Sequence, residues 1–346
     1  MANRGNGKLR LLYVLDILKS HSDEENPLNS QDIIEKLKKC GITAERKSIY
    51  DDISLLEVYG ADIIKTKVPK TGWFLGEREF EVPEIHLLSD AVRSAKFISS
   101  KKTRELLAKL GSMLSENQKH QRIDGVYFSS QDKCANEAIY YSIDKINRAI
   151  KGGFQIELEY FSRYFDENRN ISRKLRKMII NPYAMCWQDD HYYLIGNHIR
   201  HNDLIHLRLD RICSVEILKT PVRHYSEVSN YKDYFDVADY TNRLFGMYSG
   251  DFEDIELCCN KKITEQVLDR FSEEIFIKNV TEDEFSFSVK AAITPGTVTW
   301  IMNYGDLIKV IKPQKLCLMI KERAEAIIKN YENFGELYAN EEEKTS

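Results

Sequence analysis

The spacing of apolar residues changes at Gly152, and this change limits the folds that the chain can adopt. Up to Gly152 the apolar residues recur at helical spacing, as in "ANEAIYYSIDKINRAIKGG". From Phe154 they alternate with polar residues in about five short segments, joined by polar turns such as "QDDH" and "RHND". Closely spaced short strands of this kind are typical of a small antiparallel barrel. We therefore predict a β-barrel at residues 151–225 within a multidomain α+β chain.

The N-terminal residues predict three short helices followed by a β-hairpin. The first contains "KLRLLYVLDILKS", with Leu11, Leu12, Leu15 and Leu18 on one face. The second, "NSQDIIEKLKKCG", and the third, "ITAERKSIYDDISLLEVYG", each end at a glycine, and Thr43 can cap the third. "ADIIKTKVPKTGWFLGE" then predicts two strands around a lysine-rich turn. This order indicates a winged helix-turn-helix domain at residues 1–79.

A winged helix binds duplex DNA because its third helix fits the major groove and its wing reaches flanking phosphates. Lys65 lies in the predicted wing, and the carboxylates of Asp51 and Asp52 oppose DNA binding if both face outward. Asp52 could instead cap the helix or pair internally. Residues 1–80 contain 13 basic and 13 acidic residues, so a protein-interaction module with solvated charges is the alternative. The predicted DNA contacts are Arg46, Lys47, Ser48, Tyr50, Ser54, Lys67 and Lys70.

Two further segments flank the barrel. Residues 80–150 predict a helical connector that transmits motion or forms a dimer seam, with simple packing as the alternative. Residues 226–346 alternate strand and helix, which predicts a ferredoxin-like C-terminal domain. Its last helix could form a dimer face or pack on its own sheet. The apolar residues of that helix are Leu316, Met319, Ile320, Ala324 and Ile327.

The barrel segment is the basic part of the chain, and it predicts an anionic ligand. Residues 151–225 contain 12 basic and 9 acidic residues and five of the eight histidines, whereas residues 226–346 contain 14 basic and 23 acidic residues. In "HLRLDRI", alternation places His206, Arg208 and Asp210 on one face. Arginine offers phosphate a two-pronged hydrogen-bond donor, and a tyrosine ring can stack on a base. Asp210 is expected to orient Arg208.

The stretch "NPYAMCWQDDHYYLIGNHIRHNDLIHLRLDRI" resembles the WYL domain of bacterial transcriptional regulators, an Sm/SH3-like barrel that follows a winged helix. The Trp-Tyr-Leu signature falls on Tyr192, Tyr193 and Leu194, with tyrosine in place of tryptophan. "SIYDDISLL" is similar to the recognition helix of that family, and the C-terminal segment to its dimerising extension. The resemblance implies an effector-sensing barrel whose ligand is a nucleotide or single-stranded nucleic acid. The implied effector contacts are Tyr160, Tyr193, His206, Arg208 and Arg211.

Several other classes of protein lack support in the sequence. No run of about 18 apolar residues occurs, and the N-terminus is unlike a signal peptide, so we expect a cytoplasmic protein without a membrane partner. The seven cysteines are scattered without metal-ligand spacing, which predicts reduced, mostly buried thiols and no metal or other cofactor. No phosphate-binding loop or hydrolase motif appears, and nothing orients Cys186 and His191 as nucleophile and base. We therefore expect no enzymatic activity.

Two functional hypotheses follow from the sequence. The first is a homodimeric, ligand-responsive transcriptional regulator that binds duplex DNA through its winged helix and a nucleotide or nucleic-acid effector through its barrel. The alternative is an accessory protein whose barrel binds single-stranded nucleic acid and modulates a nucleic-acid-targeting system. A preference for duplex or for single strands distinguishes the two hypotheses.

Overall fold

The computed structural model describes residues 4–120, 133, 134, 136–272 and 275–331. The chain divides into two compact units, Met1–Glu137 and Ala138–Ser346, and the predicted connector at 80–150 contributes helices to both. The polar stretch predicted between its helices falls largely at residues 121–132, outside the described residues. The first unit contains α1 (Arg4–His21), α2 (Ser30–Lys39), α3 (Arg46–Tyr59), β1 (Ile63–Thr66), β2 (Gly72–Leu75), α4 (Val82–Ser94), α5 (Ser100–Gly111) and α6 (Glu116–His120).

The ends of α2 and α3 follow from local chemistry. A capping box of Asn29 and Asp32 starts α2, because each side chain accepts a hydrogen bond from the backbone of the other residue. Gly60 ends α3 in the left-handed region at φ 104°, a conformation that favours glycine. The predicted cap at Thr43 is wrong, because Glu45 precedes the first turn of α3 and makes no side-chain capping bond.

The three helices and the hairpin share one apolar core. Leu18, Ile33 and Ile49 are fully buried in it, and Trp73 of β2 closes one side. The core includes Ile49, Ile53 and Leu56, which form one apolar face of α3. The predicted face of α1 is only partly right, because Leu12 is 59% exposed.

The second unit begins with a helix and a five-stranded antiparallel sheet in the order β6-β5-β4-β3-β7. A 3-10 turn, Leu209–Arg211, joins the two edge strands β6 and β7, so the sheet must curl to bring its edges together. Strand alternation predicted through Ile212 therefore stops at Arg208. The elements are α7 (Ile139–Gly152), β3 (Phe154–Phe165), β4 (Ile171–Gln188), β5 (His191–His198), β6 (Leu204–Arg208) and β7 (Ile212–Pro221).

Two fully buried asparagines tie this sheet to its loops. Asn181 of β4 donates to the Asn197 side chain of β5 at 3.0 Å and accepts from Gln155 at 2.9 Å. The Asn197 amide donates to the carbonyl oxygens of His201 and Asp203 at 2.8 and 2.9 Å. Because unpaired polar groups are costly in an interior, this network fixes the β5–β6 loop.

A four-stranded antiparallel sheet in the order β11-β8-β10-β9 forms the rest of the second unit. The sequence analysis missed β9, whose residues are all exposed on the sheet edge. Leu316 of α11 is buried in the local core, so ordinary packing accounts for it, whereas Ile327 is 40% exposed. The elements are α8 (Val237–Asn242), β8 (Phe252–Asn260), α9 (Thr264–Phe271), β9 (Phe276–Val280), β10 (Glu284–Ala292), α10 (Pro295–Met302), β11 (Ile308–Lys312) and α11 (Gln314–Tyr331).

The segment between the two sheets covers one face of the first. We call residues 225–252 the cover segment. Its Phe235, Tyr240 and Met247 form an apolar cluster with Ala184 of β4 and Ile195 of β5. The cover segment therefore shields part of one face of the sheet from solvent, at Ile195 of β5 and the neighbouring His206 of β6.

Candidate nucleic-acid interface and effector site

The outward face of α3 carries the residues predicted to contact DNA. Arg46, Lys47, Tyr50 and Ser54 are exposed, and Ser48 is half-buried. The Arg46 guanidinium lies 5.8 Å from the Tyr50 ring centroid and donates to the Tyr50 hydroxyl at 3.3 Å. The Tyr50 ring in turn meets the edge of Trp73 at 5.0 Å. This contact orients the exposed face of α3 relative to the β1–β2 hairpin.

Asp51 and Asp52, two of the three acidic residues of α3, have different environments. Asp52 is buried and accepts two hydrogen bonds from Arg10 of α1, at 2.6 Å from Nε and 3.0 Å from Nη2. That pairing raises the pKa of Arg10 despite its partial burial. Asp51 is exposed. The internal pairing considered for Asp52 is thus the one observed, and of this pair Asp51 alone places a negative charge on the exposed surface near the start of the helix, with Glu57 exposed in its last turn.

The three lysines of the β1–β2 hairpin differ in whether another side chain already offsets or contacts their charge. The Lys65 ammonium lies 5.9 Å from the Trp73 ring centroid. Lys70 donates to Asp32 at 3.1 Å, so a carboxylate already offsets its charge. Lys67 is exposed in the turn and forms no ion pair within the part of the chain that the structure describes. Lys65 and Lys67 are therefore the more available cations.

The predicted effector residues meet where β6 ends. Arg208 donates from Nε and Nη2 to the two carboxylate oxygens of Asp210, at 3.0 and 2.8 Å. Tyr193 of β5 lies directly opposite Arg208 in the strand register, and Tyr160 lies opposite Ile212 at the start of β7. We call this set the rim patch: Tyr160, Tyr193, Arg208, Asp210 and Arg211.

The rim patch is electrostatically coupled. Burial opposes the charge on Arg208, but the Asp210 carboxylate and, more weakly, the Tyr193 and Tyr160 hydroxyls raise its pKa. Burial likewise opposes the charge on Asp210, yet Arg208 lowers the pKa of that carboxyl. Asp210 thus orients Arg208, as predicted. The Arg211 guanidinium makes no hydrogen bond or ion pair to the described residues, so it is open to an anionic ligand.

His206 lies on the same face of β6 but in closed surroundings. Its Nδ1 donates to the Met247 carbonyl at 2.7 Å, and its Nε2 accepts from the Tyr240 hydroxyl at 3.0 Å. Burial lowers the pKa of His206 to about 4, so the ring is neutral at pH 7. Both ring nitrogens have partners in the cover segment. This geometry favours a structural role, and a ligand contact by His206 remains a prediction.

Sequence reasoning missed the partners of His206, because Tyr240 and Met247 come from a distant, irregular, tyrosine-rich stretch. Strand alternation gives the face of a side chain but carries no signal for a segment that folds back over that face. The only available hint was the number of tyrosines in "HYSEVSNYKDYFDVADY".

The structure also gives the environment of the cysteines. All seven are free thiols, but only Cys259 is fully buried, and Cys40 and Cys213 are exposed, so the prediction of mostly buried thiols was wrong. Burial raises the pKa of Cys186 to about 11, which keeps this thiol protonated and unreactive. His191 bonds to the Asp189 carbonyl at 2.6 Å. Cys186 and His191 therefore lack the partners of a nucleophile and base.

Two other features, a metal site and a membrane span, are absent from the described residues. They contain no group of three or more His, Cys, Asp or Glu side chains that could hold a metal ion. Over the same residues, no helix combines the length and the apolar character needed to cross a membrane.

Comparison with known families identifies the central region. Residues 142–217 match the model of the WYL domain. These residues include most of α7, strands β3 to β6 and the first part of β7. The chain therefore contains a WYL domain, as the resemblance in the sequence implied.

Among solved structures, the chain is similar to proteasome accessory factor B/C (PafBC) of Arthrobacter aurescens. The two share 16% identity with a TM-score of 0.26, and the match covers 94% of this chain but 49% of that protein. The chain thus spans about half the length of PafBC. No curated protein matches the sequence.

Proposed function

We propose that this WYL-domain protein is a transcriptional regulator that binds duplex DNA through α3 and the β1–β2 hairpin. The observation that carries the proposal is the outward face of α3, where Arg46, Lys47 and Tyr50 are exposed while Asp52 is turned inward to Arg10. A helix of this kind fits the major groove, and lysines on an adjacent hairpin can reach phosphates. The order of three helices and a hairpin supports a winged helix-turn-helix.

The element order of the second unit supports the other predicted folds in the same way. Five antiparallel strands with a 3-10 turn between the last two fit an Sm/SH3-like barrel. The order β11-β8-β10-β9, with α9 and α10 as crossovers, fits a ferredoxin-like domain. A homodimer and a cytoplasmic location remain predictions, and sedimentation of the purified protein tests the first.

The rim patch would sense the effector. Arg211 is open, Arg208 is held by Asp210, and two tyrosines flank them, which suits a phosphate-bearing ligand with a base that can stack. An effector regulates DNA binding only if it binds the DNA-competent and incompetent arrangements with unequal affinity. We propose that a nucleotide or nucleic-acid ligand meets this condition. We expect no catalytic activity, and the protonated Cys186 thiol weighs against this residue as a nucleophile.

Salt-dependent binding to the duplex of its own promoter tests the proposal. Replacing Arg46 and Lys47 together by alanine should weaken duplex binding at least tenfold and lower the salt slope by about 1.8, if each contacts one phosphate. The matched control is Arg104→Ala plus Lys109→Ala on α5, which removes two exposed charges elsewhere in the same unit and should leave binding unchanged. Full duplex affinity in the α3 variant would refute the proposal.

The accessory-protein hypothesis is the second candidate, and the half-buried Arg211 of the rim patch, which makes no ion pair to the described residues, is the observation that favours it. It predicts that a single strand of equal length binds more tightly than the duplex, and that Arg208→Ala removes this preference. The same titrations therefore distinguish the two functions.

A further inference from the structure

The β3–β4 hairpin extends past the other strands of the five-stranded sheet as a two-stranded arm. We define the arm as residues 160–177; its strands pair without a break from Tyr160 opposite Arg176 to Phe165 opposite Ile171. From Tyr160 outward to the turn, the two strands of the arm pair only with each other; the last pair with β7 is Tyr160 opposite Ile212. Both edges of the arm are therefore unpaired beyond Tyr160 in the described part of the second unit.

The arm is strongly basic. It contains six basic residues and two acidic ones. The Asp166 carboxylate accepts hydrogen bonds from the backbone of Asn168 and Asn170 and from the Ser172 hydroxyl, so it stabilises the turn rather than neutralising the cations. The basic residues are Arg163, Arg169, Arg173, Lys174, Arg176 and Lys177.

The two faces of the arm have different organisation. Opposed residues of an antiparallel pair share a face. On one face Arg173 stacks on the buried Phe161, with its guanidinium carbon 4.6 Å from the ring centroid. The other face carries Tyr160, Arg176, Lys174 and Tyr164, and the last three are exposed with no ion pair among the described residues. We call this second face the tyrosine face.

The tyrosine face is continuous with the rim patch, because Tyr160 belongs to both. The Tyr160 hydroxyl is close enough to Arg208 to contribute to the raised pKa of that guanidinium. From Tyr160, same-face residues recur about every 6.6 Å along each strand. The aromatic rings of β3 and the cations of β4 therefore lie side by side outward from the rim, with Ser162 and Ser172 among them. This is more surface than a mononucleotide can cover.

We propose that the tyrosine face of the arm is a binding surface for single-stranded nucleic acid that enters at the rim patch. Lys174 and Arg176 would hold successive phosphates, and the Tyr164 ring would stack on a base. Unpaired bases expose the faces that stacking requires, whereas those of a duplex are already stacked. This inference rests on the proposed sensing role of the rim patch and makes its effector an oligonucleotide rather than a mononucleotide.

Fluorescence binding of oligothymidylates tests the inference. The full chain carries Arg46→Ala plus Lys47→Ala, so that α3 does not contribute, and is titrated with the dinucleotide and the decanucleotide. The decanucleotide should bind at least tenfold more tightly. Adding Lys174→Ala plus Arg176→Ala should abolish this gain and lower the salt slope by about 1.4 while leaving dinucleotide binding unchanged. Tyr164→Ala should weaken decanucleotide binding about tenfold, and Tyr164→Phe should not.

The matched control lies on the opposite face of the same arm. Arg163→Ala plus Lys177→Ala removes the same charge and should keep the gain with length. An equal loss in this control would show that only net charge matters and would overturn the proposal. Equal binding of both oligonucleotides by the starting protein, or equal binding of a ten-base-pair duplex, would also overturn it. If the arm proposal is overturned, a loss of dinucleotide binding in Arg208→Ala would still support the rim patch as a ligand site.

Discussion

His206 and Arg208 are two residues apart on one face of β6, yet their surroundings differ completely. His206 is covered by residues 225–252, and both ring nitrogens have partners there. Arg208 lies at the end of the strand, is held by Asp210 and remains partly open to solvent. In sequence the two look equivalent, because alternation places both on the same face. The comparison shows that the covering segment, rather than the strand pattern, separates a structural residue from a candidate ligand contact.

The largest effect is expected among the buried structural residues, in the asparagine network of β4 and β5. Asn197→Ala removes the buried amide that donates to the carbonyls of His201 and Asp203, and it removes the side-chain partner of Asn181. The His201 carbonyl keeps a second donor, the Arg223 guanidinium, at 3.4 Å. The free energy of unfolding should fall by about 4 kcal/mol, because several buried polar groups lose partners together. Urea denaturation measures the change. The control Asn168→Ala, in the exposed turn of the arm, should change stability by less than about 0.5 kcal/mol.

His206 should make stability depend on pH. The unfolded chain takes up a proton at this ring near its ordinary pKa of 6.5, whereas the folded chain does so only near 4. The stabilisation is therefore complete above about pH 6.5 and is lost as the pH falls towards 4, by about 3 kcal/mol in total. Denaturation of the wild type and His206→Gln across this range measures it. The same pH dependence in both proteins would show that His206 is not sealed.

Arg208→Ala should have a much smaller effect on folding. The ion pair with Asp210 is partly exposed to solvent, so the free energy of unfolding should change by less than about 1 kcal/mol. Binding of oligothymidylate should weaken at least tenfold, since the variant loses an oriented phosphate donor. A large loss of stability with unchanged oligothymidylate binding would show that Arg208, like His206, is a structural residue.

The smallest effect is expected at the Tyr160 hydroxyl, which has no hydrogen-bond partner in the described residues. Tyr160→Phe should change the free energy of unfolding by less than about 0.5 kcal/mol and keep the ring available for stacking. Thermal unfolding and oligothymidylate binding check both expectations. A destabilisation comparable to that of Asn197→Ala would show that the Tyr160 hydroxyl has a structural role.

Local chemistry made part of this architecture predictable. Left-handed glycines follow the helices at Gly60 and Gly153, and the period change at Gly152 marks the step from α7 to the sheet. The orientation of Arg208 by Asp210 was also predictable, because the two residues are close in sequence. Contacts between distant residues were not: the Asn181–Asn197 pair, the cover over His206 and the exposed edge strand β9 depend on packing that no local pattern encodes.

The central claim is that a ligand at the rim patch changes the affinity of the protein for duplex DNA. The most direct measurement is the dissociation constant for the promoter duplex with and without saturating oligothymidylate, in the wild type and in Arg208→Ala. We predict that the oligonucleotide shifts duplex affinity at least fivefold in the wild type and leaves the variant unchanged. Equal shifts in both proteins, or no shift in the wild type, would contradict the account.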